Sequence, residues 1–344
     1  MIDEAARDFA AQTTDKPTPC LVVDEAAFEF NLATLAERLP GDRCRPHVKA
    51  FKSTAMAARV AAAGHSRFTV ATLREAAGMI QAGLGHDVLL ANETVDVDLL
   101  RTVTALDGRL TVAVDSSATI DAAVAGGVEE VLIDVNVGLP RCGCAPEAAG
   151  AFAEEARGKG LAVRGVMGYE GHLMMVPDTE RRRAKVADSM ALLLQAAEAV
   201  GGEIVSAGGT GSWDLNDAAN EIQAGSYLLM DTHYGSIELP FRQALWVEAT
   251  VISIAPDRSW IVADAGLKSM GMDHGNPTWL EGEVAFCSDE HATLYPSDPD
   301  RWTVGDRVRL APAHVDPTIA KHPRMWVIGQ GDDVTEWPVD LVHW

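Results

Sequence analysis

The feature that most constrains the fold is a regular alternation of short apolar runs with Ala-rich helical segments between residues 20 and 235. The apolar runs predict strands at 20–23, 44–49, 67–70, 87–90, 110–114, 131–135, 163–167 and 204–207. The segments between them predict helices that include 54–63, 73–82, 120–125, 146–159 and 179–200. Strands that alternate with helices of this length form a parallel sheet.

About eight such repeats over ~200 residues fit a closed (β/α)₈ TIM-like barrel better than an open doubly wound sheet, although spacing alone permits both. After residue 240 the pattern changes to strands separated by Pro, Gly and Asp, at 247–254, 259–263, 281–286, 307–310 and 325–328. Helix-period segments are absent there. We therefore predict an α/β barrel at 20–238, followed by a smaller all-β domain at 239–344.

Charge and cysteine content restrict the partners and the compartment. The net charge of −22 argues against nucleic acid and anionic membranes, because phosphates would be repelled. No apolar run approaches the ~18 residues of a membrane span, and the acidic N-terminus lacks the regions of a signal peptide. The five cysteines are scattered and odd in number, which indicates reduced thiols rather than a disulfide framework. We expect a cytoplasmic enzyme with a small-molecule substrate.

Lys49 is the first candidate for chemistry. It ends the predicted strand at 44–49, within Arg45-Pro46-His47-Val48-Lys49. A barrel presents its chemistry at the C-terminal ends of its strands. Burial and the neighbouring positive charges of His47 and Lys52 favour the neutral amine that a Schiff base requires. The alternative is a surface lysine whose apolar stem is buried.

Two glycine-containing loops follow later strand-like segments and suit a phosphate. Gly208-Gly209-Thr210-Gly211-Ser212 follows the strand at 204–207, and Thr210 and Ser212 add hydroxyls to its backbone N–H groups. Gly225-Ser226-Tyr227 lies at the next strand-like segment. Loops near the last barrel strands are the usual phosphate position in this architecture, although ordinary turns have the same composition.

Three further polar residues follow barrel strands. Arg141 suits a phenolate or carboxylate oxygen, or else is a surface loop arginine. Tyr169 and His172 follow the strand at 163–167. The imidazole of His172 could act as a general base near neutral pH, although a lone loop histidine is commonly only solvated.

His314 and Asp316 form a candidate metal pair. In an extended segment, residues i and i+2 share one face, so both side chains could reach one ion. Two protein ligands leave room for water and substrate, and the carboxylate favours Mn²⁺, Mg²⁺ or Zn²⁺ over a thiolate-rich site. The alternative is a chance His-x-Asp sequence on a turn before Pro317.

In combination, these motifs resemble the fold-type III pyridoxal-phosphate enzymes, and among them the D-threonine aldolase and D-serine dehydratase family. The resemblance runs over nearly the whole chain, and its motifs occur in the expected order. They are Thr18-Pro19, Arg45-Pro46-His47-Val48-Lys49, Val137-Gly138 with Arg141-Cys142-Gly143, Tyr169-Glu170-Gly171-His172, Gly208-Gly209-Thr210-Gly211, Gly225-Ser226-Tyr227, Asp264-Ala265-Gly266, Glu290-His291 and His314-Val315-Asp316.

The resemblance implies an alanine-racemase-like barrel and a β-domain that includes residues 1–19, in a homodimer. Lys49 would hold pyridoxal 5'-phosphate, and His172 would act as a catalytic base. His314 and Asp316 would bind a divalent metal. The other cofactor-binding residues would be Arg141, Tyr169, Gly209, Thr210, Gly225, Ser226 and Tyr227.

The metal pair favours one branch of this family. The dehydratases commonly have His-x-Cys there and the aldolases His-x-Asp, so Asp316 implies cleavage of a D-3-hydroxy-amino acid, of the D-threonine type, to glycine and an aldehyde. The alternative is a D-serine or 3-hydroxyaspartate dehydratase that yields a 2-oxo acid and ammonia. A non-catalytic pyridoxal-phosphate-binding protein is a further alternative, and so is a racemase, although the setting of Tyr295 does not match a racemase base.

Overall fold

The computed structural model describes residues 12–331 and 333–343, which form two compact units. One unit contains residues 35–49, 56–225 and 341–343. The other contains 12–34, 50–55 and, apart from residue 332, 226–340. This division differs from the predicted domains at 20–238 and 239–344, because the chain from 20 to 34 groups with the later residues. Part of the predicted N-terminal segment, 1–11, lies outside the described residues.

The first unit is built on a parallel sheet that, in the described chain, has seven strands in consecutive order. They are β2 (Arg67–Val70), β3 (Asp87–Leu90), β4 (Leu110–Val114), β5 (Glu130–Asp134), β6 (Ala162–Met167), β7 (Ile204–Ala207) and β8 (Glu221–Ile222). An open doubly wound sheet reverses its strand order at a switch point, and this sheet does not. The consecutive strand order therefore favours the barrel over the open doubly wound sheet.

An eighth segment, residues 44–47, closes the sheet. It makes parallel bridges to both edge strands, Cys44 to Ile222 on one side and His47 to Thr69 on the other. The chain then enters a 3₁₀ helix at Val48–Ala50. The strand predicted at 44–49 is thus shorter than expected and ends before Lys49.

Helices follow the strands as predicted, with boundaries set by side-chain caps. The helices of the described barrel region are α2 (Thr54–Ala62), α3 (Leu73–Gln81), α4 (Val97–Thr104), α5 (Ser117–Ala125), α6 (Ala149–Gly158) and α7 (Thr179–Val200). Thr72, Asp96, Ser116 and Asp178 each accept a backbone N–H of the first turn that would otherwise lack a partner. Inside the barrel, apolar side chains from neighbouring strands pack as one layer: Leu89, Ala113, Leu132, Met167 and Ile204.

A buried ion network lies at the N-terminal ends of the barrel strands. Arg45 is 1% exposed and pairs with Asp87 at 3.0 Å and with Glu221 at 2.8 Å. Arg164 pairs with Asp87 at 3.0 Å. Burial alone would raise the pKa of Asp87, but the hydrogen bonds and charges of Arg164 and Arg45 hold it well below its usual range. The network joins the closing segment to β3, β6 and β8.

The second unit contains a mixed sheet, with nine strands in the described chain. They are β1 (Cys20–Asp24), β9 (Leu245–Ile254), β10 (Ile261–Ala263), β11 (Thr278–Trp279), β12 (Gly282–Cys287), β13 (Ala292–Pro296), β14 (Arg307–Ala311), β15 (Arg324–Ile328) and β16 (Val334–Pro338). β1, predicted as a barrel strand, instead pairs with β9 and β15. It is followed by α1 (Glu25–Arg38).

This unit is not purely β after residue 240. A short helix, α8 (Val315–Ile319), interrupts the strands, which the sequence pattern did not predict. Among the described residues, no helix is long and apolar enough to cross a membrane.

Replacing Arg45 should destabilise the barrel strongly. Arg45→Met removes the guanidinium that lies 2.8 Å from Glu221 and 3.0 Å from Asp87 and leaves both buried carboxylates with less compensating charge, so we expect a loss of about 3–5 kcal/mol in the free energy of unfolding. Urea unfolding followed by circular dichroism measures this loss. The matched control is Arg183→Met on the exposed face of α7, for which we expect a change within about 0.5 kcal/mol. An Arg45→Met protein as stable as that control would contradict the role of the network.

Candidate active site

Lys49 lies at the C-terminal end of the closing segment, where the sequence predicted it. It is half-buried, in the 3₁₀ helix Val48–Ala50, and its backbone N–H donates to Nδ1 of His47 at 3.4 Å. Arg45, four residues earlier, is fixed in the ion network at the opposite end of the strands. The closing segment therefore spans the barrel from the network to the end that carries chemistry.

Three of the predicted cofactor residues lie together at this end of the barrel. Tyr169 follows β6 and Gly209 follows β7. A Cβ on Gly209 would lie 3.3 Å from Cε2 of Tyr169, a tight contact that glycine at this position relieves. The guanidinium of Arg141 lies over the same ring at 5.3 Å. Arg141 is exposed rather than buried, and its cation is held next to the aromatic ring.

His172 lies beside the loop that follows β5. It is exposed, in the 3₁₀ helix Gly171–Leu173 after β6. Its ring packs on Gly138, where an added Cβ would be 3.0 Å from Cε1 of His172. Gly138 has φ +121°, a conformation that favours glycine. The imidazole is thus at the same end of the barrel as Tyr169, and it is accessible.

Glu170, which the sequence analysis did not single out, shapes the loop after β7. Its carboxylate is fully buried and accepts from the Gly208 N–H at 3.1 Å, the Ser212 hydroxyl at 2.8 Å and the Asn216 amide at 3.2 Å. The Ser212 hydroxyl, expected to serve a phosphate, instead donates to Glu170. Thr210 lies within this loop and is 2% exposed. A carboxylate next to a Gly-rich loop is the signal that could have indicated this role.

A buried acid pair is the second feature that the sequence analysis missed. Asp134 ends β5, and its pKa is raised well above the usual value, first because it is buried and then because of the charge and hydrogen bond of Glu93. Arg141 opposes the rise. Burial and the nearby carboxylate of Glu93 thus favour the protonated form of Asp134. Burial and Glu93 also raise the pKa of the Cys142 thiol to about 12, so this thiol is not a nucleophile.

The second predicted phosphate loop is divided between the two units. Gly225 is the last residue of the barrel unit, and Ser226 and Tyr227 begin a 3₁₀ helix of the other. Tyr227 is fully buried and packs against Phe241, with ring centroids 5.4 Å apart. The Ser226 carbonyl accepts from the Met230 N–H at 2.7 Å.

His314 and Asp316 do not share one extended strand, as the sequence analysis assumed. His314 has extended backbone, but it is the N-cap of α8, and Asp316 lies in the first turn of that helix. Asp231 connects to this turn. Its carboxylate is 1% exposed and accepts from the backbone N–H groups of Tyr234 at 2.8 Å and Val315 at 2.9 Å. Its pKa is raised to about 6, chiefly by burial, with a contribution from the negative charge of Asp316.

Asp273 and His274, which the sequence analysis did not single out, lie close to His314. Oδ2 of Asp273 is 2.7 Å from Nδ1 of His314, and the rings of His274 and His314 are stacked with centroids 4.1 Å apart. Within the described residues, one donor atom from each of Asp273, His274 and His314 lies within 4.8 Å of the others. Asp316 is not part of that group. The adjacent Asp273-His274 in a Gly-rich loop is the signal that could have indicated them.

The imidazoles near His314 are poised to stay neutral. The pKa values of His233 and His274 lie below the usual value for histidine, first because both rings are partly buried and second because His314 is nearby. A neutral imidazole nitrogen has the lone pair that a metal requires.

Two family profiles match the chain. Residues 23–233 match "Alanine racemase, N-terminal domain", and residues 244–328 match "Putative serine dehydratase domain". A D-threonine aldolase of Arthrobacter sp. is 34% identical, with 93% of this chain and 91% of that protein covered. A 3-hydroxy-D-aspartate aldolase of Paracoccus denitrificans is 32% identical, with 94% and 91% covered.

Solved structures agree with these matches. The crystal structure of D-threonine aldolase from Filomicrobium marinum has a TM-score of 0.88 at 32% identity, covering 95% of this chain and 96% of its own. The chain belongs to the fold-type III pyridoxal-phosphate family. It is therefore a pyridoxal-phosphate-dependent lyase, and this confirms the predicted fold and family.

Two structures of D-threo-3-hydroxyaspartate dehydratase variants also match, at 27% identity and TM-scores of 0.86 and 0.84. Each match covers 96% of this chain; it covers 96% of the first variant's chain and 99% of the second's. One replaces a histidine by alanine, and the other a cysteine two residues further on; the cysteine variant is a metal-free form. The comparisons support both predicted cofactors, pyridoxal 5'-phosphate and a divalent metal.

Changing Glu170 should loosen the loop after β7. Glu170→Gln replaces one acceptor oxygen by an NH₂ group, which faces donors and leaves at least one of them unsatisfied at a cost of about 1–3 kcal/mol. We expect about tenfold weaker binding of pyridoxal 5'-phosphate, measured by absorbance titration of the cofactor-free protein. The control is Glu154→Gln, whose side chain is exposed on α6. Unchanged cofactor affinity in Glu170→Gln would contradict a role for this loop in binding.

Proposed function

We propose that the protein is a pyridoxal-phosphate- and divalent-metal-dependent aldolase, which cleaves a D-3-hydroxy-amino acid of the D-threonine type to glycine and an aldehyde. One observation carries the choice of reaction. Two residues after His314 this chain has the carboxylate of Asp316, whereas the dehydratase variants involve a histidine and a cysteine at that spacing. A hard carboxylate and a soft thiolate favour different metal ions. The similarity to D-threonine aldolases at 34% and 32% identity agrees with this choice.

The residues at the C-terminal end of the barrel fit the cofactor. Lys49 offers a half-buried amine for covalent attachment. The loop with Gly209 and Thr210 packs closely on its neighbours. A Cβ on Gly209 would lie 3.1 Å from Sδ of Met174 and 3.3 Å from Cε2 of Tyr169. A loop with so little side-chain bulk suits a phosphate. In this proposal Gly225, Ser226 and Tyr227 add to the phosphate site.

The cation of Arg141 completes this group of residues. It lies over Tyr169 and next to the acid pair of Asp134 and Glu93. In the proposal, Arg141 donates hydrogen bonds to the ring oxygen of the cofactor, and Tyr169 holds the guanidinium in place.

The reaction requires one proton to leave the substrate hydroxyl. When bound, the cofactor ring withdraws electrons from the substrate α-carbon, and the divalent metal acts as a Lewis acid toward the hydroxyl. His314 and Asp316 would hold the metal, and the imidazole of His172 would take the proton directly or through a water. The accessible position of His172 on Gly138 permits this exchange with solvent. We further expect a cytoplasmic homodimer.

A dehydratase is the second candidate, and two observations favour it. Residues 244–328 match a profile described as a serine dehydratase domain, and a D-threo-3-hydroxyaspartate dehydratase of Delftia sp. is 30% identical over 93% of this chain. In that reaction Lys49 would take the proton of the α-carbon, and the hydroxyl would leave. The products would be a 2-oxo acid and ammonia.

Product identification distinguishes the two reactions. The purified protein is incubated with D-threonine, pyridoxal 5'-phosphate and Mn²⁺, with and without a chelator. We expect glycine and acetaldehyde in equal amounts, and loss of both on chelation, because His314 and Asp316 then lack the ion that favours loss of the hydroxyl proton.

Formation of 2-oxobutanoate and ammonia would overturn the aldolase proposal in favour of the dehydratase. L-threonine serves as the stereochemical control and should give no product. The Lys185→Ala variant, changed at an exposed position of α7, should keep full activity.

A further inference from the structure

Three histidines from separate parts of the chain form one stack beside the proposed metal site. The ring centroids of His233 and His274 are 4.1 Å apart, and those of His274 and His314 are also 4.1 Å apart. The second pair is nearly parallel, with an interplanar angle of 15°. Of these three histidines, only His314 was predicted from the sequence to bind metal, and the stack places the imidazole of His274 next to it, with His233 on the far side of His274.

Asp273 adds a carboxylate to this group. Its Oδ2 is 2.7 Å from Nδ1 of His314 and 3.7 Å from Nε2 of His274. One donor atom of each of these three residues lies within 4.8 Å of the others. A metal with bonds of about 2.1 Å holds ligand atoms up to about 4.2 Å apart. A metal lies in the plane of an imidazole ring, so binding of one ion by both histidines requires the His274 ring to turn out of its stack with His314.

The backbone holds the loop of Asp273 and His274 against the start of α8. Gly271 makes an antiparallel bridge with His314, and its N–H donates to Oγ1 of Thr318 at 2.9 Å. A Cβ at Gly271 would lie 2.2 Å from Cγ of Pro317, so no other residue fits at this approach. The proximity is therefore a product of the packing of two fixed segments.

We propose that Asp273 and His274 complete the metal centre of His314 and Asp316, which raises the number of imidazole ligands from one to two. This inference rests on the proposed function in taking His314 as a metal ligand. A site with nitrogen ligands binds divalent transition metals in the order Mn²⁺ < Co²⁺ < Ni²⁺ < Cu²⁺. We therefore expect this site to bind Co²⁺ more tightly than Mn²⁺, and to bind Mg²⁺ weakly.

Metal titrations of the holoenzyme test the proposal without relying on turnover. The protein, loaded with pyridoxal 5'-phosphate and stripped of metal by a chelator, is titrated with Co²⁺ and with Mn²⁺. Visible absorption of bound Co²⁺ reports its coordination, and the electron paramagnetic resonance signal of free Mn²⁺ gives the second affinity. The variants are His274→Gln and Asp273→Asn, and the matched control is His233→Gln, which changes the stack outside the group of three donors.

We expect Co²⁺ affinity to fall about 10- to 100-fold in His274→Gln and in Asp273→Asn, with a changed Co²⁺ spectrum. The loss for Mn²⁺ should be smaller in His274→Gln, because a nitrogen ligand is removed. His233→Gln should stay within threefold of the wild type. Wild-type affinities and spectra in both variants would overturn the proposal.

A fourth variant, Gly271→Ala, tests whether the position of the loop itself matters for metal binding. The added Cβ removes no donor atom but moves the loop away from Pro317. We expect weaker Co²⁺ binding with the far-UV circular dichroism of the wild type, which shows that the variant is folded. Unchanged Co²⁺ binding in this variant would count against the proposal. If the wild type does not cleave D-threonine but the variants lose metal affinity as expected, the proposed reaction is rejected and the proposed metal ligands are kept. If the wild type cleaves D-threonine but His274→Gln binds metal normally, the proposed metal ligands are rejected and the reaction is kept.

Discussion

The buried ion pairs of Arg45 are the constraint on which the barrel depends. Segment 44–47 bridges both edge strands through three backbone hydrogen bonds. Arg45 adds a buried attachment, because its guanidinium pairs with Asp87 of β3 and Glu221 of β8. A buried cation that lacks either partner would cost several kcal/mol, so the register of this segment is strongly specified. The same register places Lys49 at the opposite end.

The barrel strands could be predicted well from sequence, and the exceptions have physical reasons. Runs such as Asp87–Leu90 and Ile204–Ala207 have the bounds that their apolar residues indicate, because both faces of a barrel strand are buried. The strand predicted at 44–49 is shorter in the structure, because the chain enters a 3₁₀ helix at Val48. β1 was placed in the wrong sheet because its apolar residues specify burial but not a pairing partner.

Some residues of the candidate site could likewise be predicted from the sequence and others could not. The positions of Lys49, Tyr169, Arg141 and Gly209 at one end of the barrel could be predicted, because each comes after the C-terminal end of a barrel strand. The contacts of Glu170, Asp273 and His274 could not be predicted, because they join loops that no periodicity encodes. The extended geometry assumed for His314 and Asp316 was wrong because α8 begins at Val315, between the two. In the second unit, His314 at the start of a helix thus lies next to Asp273 and His274 of a facing loop.

Identification of the lysine that carries the cofactor tests the central claim most directly, since both proposed reactions require that linkage. The holoenzyme is reduced with borohydride, digested, and its peptides are sequenced by mass spectrometry. The account predicts one phosphopyridoxyl group per chain, on Lys49. A label on Lys52 or on another lysine, or cofactor that binds but leaves no lysine labelled, would contradict the assignment of Lys49 and the chemistry built on it.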